Sequence, residues 1–238
     1  LQGITKFIVG VTSKQIIEDK KELDSLGNFI GSYFSNDVNK AKQYCHILVM
    51  PFADRNLDTI FRSERPDMIM VRKYMKEIAK ALAFLHSMGF IHGDLKMLNI
   101  VRIKNLLLLI DLDASAKIDT DCVGAKFSSG VLPPEMIHCF DDEKPEKRSQ
   151  DRKAYEAYFA SQDPEEQAKR SPKFSSIGKR WYAVKSFLTE TRSERVFDDE
   201  TDTYIEEQVV VPKQEGLPFN LVKASSAMDV WSFGVLLY

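Results

Sequence analysis

Ile91-His-Gly-Asp-Leu-Lys-Met-Leu-Asn-Ile-Val101, followed by Leu109-Ile-Asp-Leu-Asp113, is the stretch that decides the reading of this chain. A polar cluster lies between two apolar runs, and a further aspartate ends the second run. Alternation of this kind puts short strands on either side of a loop that starts at Gly93. Ile100–Ile103 and Leu106–Ile110, joined by a turn at Lys104-Asn105, read as a β-hairpin behind that loop. Asp94, Lys96, Asn99 and Asp111 are then expected to face one cleft.

Those four residue types together suit phosphoryl transfer. One carboxylate orients an attacking hydroxyl, and a cation offsets charge on the moving group. An amide oxygen and a second carboxylate hold a metal on phosphate oxygens. Hard oxygen ligands in small number match magnesium, which keeps several of its waters. Taken singly, each is an ordinary loop or strand-end residue; their order and spacing behind a long helix carry the argument.

That helix is the clearest in the chain. Asp67 after Pro66 is placed to cap it. Val71, Tyr74, Met75, Ile78, Leu82 and Leu85 recur at steps of three and four, and Gly89 stops it. Toward the front, Ile4–Val11 and His46–Phe52 have strand character, and Ser13 is read as opening a helix that ends at Gly27. Residues 141–170 are dense in charge with weak helical periodicity. Trp181–Phe187 reads as a strand, and Met228–Tyr238 as an apolar helix.

The motifs resemble those of the protein-kinase family. The family's catalytic loop, H-R-D-L-K-x-x-N, stands here as His92-Gly-Asp-Leu-Lys-Met-Leu-Asn99, and its D-F-G as Asp111-Leu-Asp113. Its A-P-E appears as Pro133-Pro-Glu135, and the opening of its later helix as Asp229-Val-Trp-Ser-Phe-Gly234. The resemblance implies an α+β protein-kinase-like fold, with a remnant of the small β lobe, a mostly helical large lobe, and truncation at both ends. It divides the chain into a partial small lobe and hinge (1–53), a large lobe with catalytic loop and activation segment (54–135), a charged insertion of uncertain order (136–223) and the start of the central large-lobe helix (224–238).

Carried over by position, the resemblance makes Asp94 the catalytic base and Lys96 the phosphate-contacting lysine. It makes Asn99 and Asp111 the Mg2+ ligands and nucleotide contacts. Ser128 stands where the family has a threonine near the base. Met50 corresponds to the gatekeeper, with the backbone of Pro51 and Ala53 receiving adenine. Asp229 resembles the buried aspartate that braces the catalytic loop. The implied cofactors are ATP and Mg2+, and the implied partner is a protein substrate carrying Ser or Thr.

Three departures stand out. Gly93 replaces the arginine that pairs with a phosphorylated activation loop. Asp113 replaces a glycine, which reduces backbone freedom. No glycine-rich phosphate loop is present. The front aligns in two ways. In one, 13–26 is the regulatory helix and Lys6 stands for the strand lysine. In the other, which is favoured, Phe7–Val11 is already the fourth strand and 13–44 an enlarged connection. His-Gly-Asp-Leu and Ile-Asp-Leu-Asp also resemble small-molecule kinases of the aminoglycoside-phosphotransferase type. Pro133-Pro-Glu135 and the Asp229 motif favour the protein-kinase form. A pseudokinase used as an interaction module is the third reading, favoured by Gly93, Asp113 and the missing glycine loop.

Composition agrees with these expectations. A net charge of -2 argues against a nucleic-acid partner. Cys45, Cys122 and Cys139 have no CxxC spacing, so neither a disulfide framework nor a zinc site is expected, and the expected location is intracellular, cytoplasmic or nuclear. The longest greasy run, Leu106–Ile110, is too short to cross a membrane.

Overall fold

The computed structural model describes residues 51–128, 130–140, 144–198 and 203–238, together with the backbone of 13–16 and 46–49. Strand β1 (Ser13–Ile16) pairs antiparallel with β2 (His46–Val49), with Ser13 opposite Val49. This corrects the helix expected to open at Ser13. A serine favours a helix start only weakly, and a partner strand of Ile-Leu-Val character offers a ladder that overrides it. The expected strand Ile4–Val11 and the gatekeeper position Met50 lie outside the described residues.

Strand β3 (Arg55–Asn56) leads directly into helix α1 (Leu57–Glu64), because the Asn56 side chain accepts from Thr59 N at 2.8 Å and caps it. Helix α2 (Met68–Ser87) starts where Asp67 accepts from Met70 N at 2.8 Å. It buries Tyr74, Met75, Ile78, Leu82 and Leu85 of the expected stripe and Ala81 besides, while Val71 is only partly covered. Gly89, at φ 83°, carries the chain out of the helix in a conformation that glycine adopts without strain.

Strand β4 (Phe90–Ile91), β5 (Ile100–Ile103) and β6 (Leu106–Leu109) follow. β5 and β6 form the expected hairpin, with Ile100 opposite Leu109. β3 adds to its other edge, giving the order β3-β5-β6. Leu57 and Ile60 of α1, the α2 stripe, and Leu95, Ile100, Leu107 and Leu109 make one apolar core. Arg102 of β5 ties this layer down from outside, reaching Asp54 at 2.6 Å and Glu64 at 2.7 Å. The two carboxylates push its already high pKa further up.

Strand β7 (Ala116–Lys117) pairs with β4, and β8 (Cys122–Val123) pairs with a strand near the end of the chain. Beyond β9 (Ile137–Cys139) the charged region is built from regular elements. These are α3 (Pro145–Tyr158), α4 (Pro164–Arg170), β10 (Lys173–Ser175), β11 (Arg180–Val184) and a long hairpin of β12 (Leu188–Asp198) with β13 (Thr203–Lys213). β10, β11 and β9 form one sheet in that order. Phe140, Tyr155, Phe159, Ala183 and Phe219 close over it as a separate aromatic core. Strand β14 (Val222–Lys223) pairs with β8, and helix α5 (Ser226–Leu237) begins where Ser225 accepts from Ala227 N. Among the described residues no helix is long and apolar enough to cross a membrane.

Candidate active site

The loop after β4 is organised by a carboxylate 137 residues away. Asp229, in the first turn of α5, is almost wholly buried. Its Oδ2 accepts from His92 N at 2.7 Å and its Oδ1 from Gly93 N at 3.0 Å. His86 Nε2, in the last turn of α2, lies 2.8 Å from the same Oδ2. One side chain thereby joins α2, the loop and α5. Charge-assisted bonds of this kind are the stronger ones in a protein interior.

His92 is fully buried. Its Nδ1 accepts from Asp94 N at 3.3 Å, which leaves Nε2 as the protonated nitrogen, donating to Ile110 O at 3.0 Å. Burial pushes its pKa down, and the Asp229 charge and the Ile110 carbonyl only partly oppose this. The neutral imidazole clamps the loop to the end of β6. Ile110 N donates to Asn99 O at 3.0 Å, fixing the same junction from the other side.

Asp94, 2% exposed, is the centre of the loop. Its Oδ2 accepts from Lys96 Nζ at 2.6 Å. Asn99 Nδ2 donates to the Asp94 carbonyl at 3.0 Å and lies 3.4 Å from Oδ2. Lys96 Nζ also donates to Ser128 Oγ at 2.9 Å, which draws the stretch around Ser128 against the loop. Asp94 Oδ1 is buried and has no hydrogen-bond partner. The structure therefore brings Asp94, Lys96, Asn99 and Ser128 into one bonded set.

Asp111 sits just past β6 in the left-handed region, at φ 61° and ψ 67°. Aspartate tolerates that region better than most side chains, but still at a cost. Its carboxylate lies 3.2 Å from Lys126 Nζ, and Asp113 Oδ2 lies 3.0 Å from the same nitrogen. The Asp113 bond, with Asp111 behind it, raises the Lys126 pKa. Pro51 and Ala53 stand apart from this set. Their tie to it runs through Asp54 N, which donates to Arg102 O at 3.0 Å on β5, the strand that follows Asn99. Pro51 offers only a carbonyl to a ligand, since it has no N–H.

A metal ion needs hard oxygens here. With Asn99 Nδ2 committed to Asp94, its Oδ1 is the atom left for a cation, and the Asp111 carboxylate stands at the adjoining strand end. Among the described residues there is no group of three or more His, Cys, Asp or Glu side chains to cage a metal. One carboxylate and one amide fit magnesium, which is bound through few protein ligands plus phosphate. Sequence reasoning did not single out His86 or Arg170, whose guanidinium Nη2 donates to Ala125 O at 3.0 Å. His86 carried a faint signal, as the last-turn histidine of a capped helix. Arg170 carried none, in a charged run with little periodicity.

Known sequences are similar to part of this chain. Mitogen-activated protein kinase 12 of Danio rerio is 27% identical over 113 residues, which are 46% of this chain and 31% of that protein. Probable serine/threonine-protein kinase mps1 of Dictyostelium discoideum is 32% identical over 109 residues, 44% of this chain and 11% of that protein. Serine/threonine-protein kinase PknG of Mycobacterium leprae is 38% identical over 65 residues, 27% of this chain and 8% of that protein. The chain thus spans less than a third of the length of these curated relatives. The protein kinase domain family matches residues 28–154, more than half of the 238 residues. With that match laid over the Asp94 loop and the Asp111 strand end, the chain belongs to the protein kinase domain family.

Proposed function

We propose that this kinase domain transfers the γ-phosphoryl group of ATP to serine or threonine hydroxyls of proteins, with Asp94 as the base. The observation that carries the reading is the Asp94 carboxylate. One oxygen is held by Lys96 and lies near Asn99, and the other, Oδ1, is a buried acceptor without a donor. An acceptor hydroxyl donating to Oδ1 satisfies it and points its own oxygen for attack. The oxygen–phosphorus bond forms, the bond to the departing ADP oxygen breaks, and the hydroxyl proton passes to Asp94. Lys96, bonded to both Asp94 and Ser128, holds positive charge beside the phosphoryl group in transit. Asn99 and Asp111 would hold a magnesium ion, which would supply charge neutralisation on the phosphate oxygens. Lysine at this place in the loop supports Ser/Thr acceptors, and so do two relatives known as serine/threonine-protein kinases. Cysteines without pairing spacing support an intracellular, cytoplasmic or nuclear location.

The test is transfer from γ-labelled ATP by the full-length protein to peptide mixtures with Ser, Thr or Tyr as sole acceptor. Label is expected on Ser or Thr. Asp94→Asn is expected to abolish transfer while nucleotide affinity, measured by calorimetry, stays within about twofold, because the base orients the acceptor and does not hold ATP. Undiminished transfer by the variant, or labelling of Tyr alone, rules the reading out.

A further inference from the structure

Asp94 and Lys96 open onto a cleft of roughly 560 Å³ with two walls of different origin. One is Ala125, Lys126, Phe127 and Ser128 with Gly130. The other is Glu166, Lys169 and Arg170 of α4 with Lys173 of β10. These four lie beyond residues 28–154, so the second wall comes from outside the stretch that matches the family.

The charge of this wall is unbalanced. Arg170 has 8% of its side chain exposed, and its Nε and Nη1 have no hydrogen-bond partner. Its guanidinium is packed between the Phe127 and Phe159 rings, 5.4 Å and 5.0 Å from their centroids. Glu166 is divided between Lys169 at 2.7 Å and Arg170 at 3.5 Å, and Glu165 reaches only Lys169, at 3.7 Å, so two carboxylates face three cations. Lys173 is exposed and has no carboxylate partner among the described residues. Two further cations of the cleft, Lys96 and Lys126, are already paired with aspartates inside the site. A buried guanidinium with unmatched donors is costly unless an anion comes near it, and arginine is the side chain best shaped to take a carboxylate or phosphate.

The geometry points to an acidic peptide as the substrate of this cleft: a chain with a carboxylate or phosphate group flanking the acceptor hydroxyl, its anion seated beside Lys169, Arg170 and Lys173. This rests on the phosphoryl-transfer reading given above. The cleft then selects substrates by charge before chemistry, with opposite signs facing across it.

The experiment uses the full-length protein and fluorescein-labelled peptides that differ only at two positions flanking one serine, carrying Glu, phosphoserine, Ala or Lys. Binding is read by anisotropy, and phosphate transfer is read in parallel. The Glu peptide is expected to bind about tenfold tighter than the Ala peptide. The phosphoserine peptide binds at least as tightly, the Lys peptide most weakly, and added salt narrows the gap. Lys169→Glu with Lys173→Glu is expected to reverse the order of Glu and Lys peptides. Arg170→Met, which keeps an apolar stem between the two rings, is expected to cut the Glu-to-Ala ratio to within about twofold. Equal binding of the Glu, Ala and Lys peptides by the unaltered protein overturns the inference, as does a ratio unmoved by either variant. Acid-selective binding without any phosphate transfer upholds the cleft and sinks the phosphoryl-transfer reading instead.

Discussion

A Cβ at position 93 would lie 2.2 Å from the carbonyl oxygen of Ala114, so Gly93 and Ala114 are fitted to each other. Gly93 also holds φ at 77°, where other residues are strained. The two departures from the kinase motifs are therefore coupled. Asp113, standing where the family has glycine, lies in a short 3-10 turn, Leu112–Ala114, and that turn carries the Ala114 carbonyl over the loop. Gly93→Ala is expected to lower stability by at least about 2 kcal/mol, from the backbone strain and the collision together. Urea unfolding checks this; a loss under about 0.5 kcal/mol contradicts it. Gly93→Arg is expected to do at least as much damage, so it will not install control by a phosphorylated activation segment.

Lys126 bridges the proposed metal ligand Asp111 and its neighbour Asp113. A metal held by Asp111, as proposed, would compete with the Lys126 ammonium for its carboxylate. Lys126→Met is expected to lower the magnesium concentration for half-maximal nucleotide binding by about two- to fivefold, a modest effect because the ion pair is exposed. A titration of labelled nucleotide at varied magnesium measures it. A requirement that stays the same or rises argues that Asp111 does not hold the metal.

Asp229 satisfies two main-chain N–H groups and His86 at once. Asp229→Ala leaves these donors buried without an acceptor and is expected to cost about 3–5 kcal/mol. Asp229→Asn keeps the shape but turns an amide N–H toward a donor, so it still costs more than about 1 kcal/mol. Chemical denaturation of both variants orders them. If alanine is the milder change, the buried carboxylate does not brace the loop.

How legible this was from sequence differs by region. Helix α2 was readable end to end, because Asp67, the apolar spacing and Gly89 are all local signals. The β5–β6 hairpin and the Asp94 loop were readable for the same reason. Lys96 and Asn99 reach Asp94 from two and five residues away, so spacing alone nearly sets the geometry. Of the 136–223 region only the strand expected at Trp181–Phe187 was readable, and it stands at Arg180–Val184. The region's core is assembled from Phe140, Tyr155, Phe159, Ala183 and Phe219, five residues drawn from four separate segments. α3 shows only one buried residue, Tyr155, so its pattern reads as a solvated charged run. At Ser13 the local start signal pointed to a helix, and pairing with His46–Val49 decided otherwise.

Two histidines tie stability to pH. His92 is fully enclosed, and burial pushes its pKa below the ordinary value. His138 on β9 packs its ring against Phe140 at 4.9 Å and Phe219 at 5.2 Å, and its Nε2 is buried without a partner. Burial, helped by the positive charge of Lys185, pushes its pKa down as well. In the unfolded chain both titrate near 6.5. Between that value and the lowered one, the unfolded state binds more protons than the folded state, so stability falls as pH falls. Above about 6.5 both are neutral in either state, and the stability is fully present. For His92 the slope reaches at most about 1.4 kcal/mol per pH unit. The carboxylates with lowered pKa values, Asp54, Glu64 and Glu166, act only at more acid pH, and the raised Lys126 and Lys169 only in strong base. The window from pH 7.5 to 5.5 therefore isolates the histidines. The urea midpoint is expected to drop across it, and His138→Leu is expected to flatten part of the drop and leave the His92 share. A midpoint that holds steady or rises on acidification would show that these imidazoles are not held neutral by the fold.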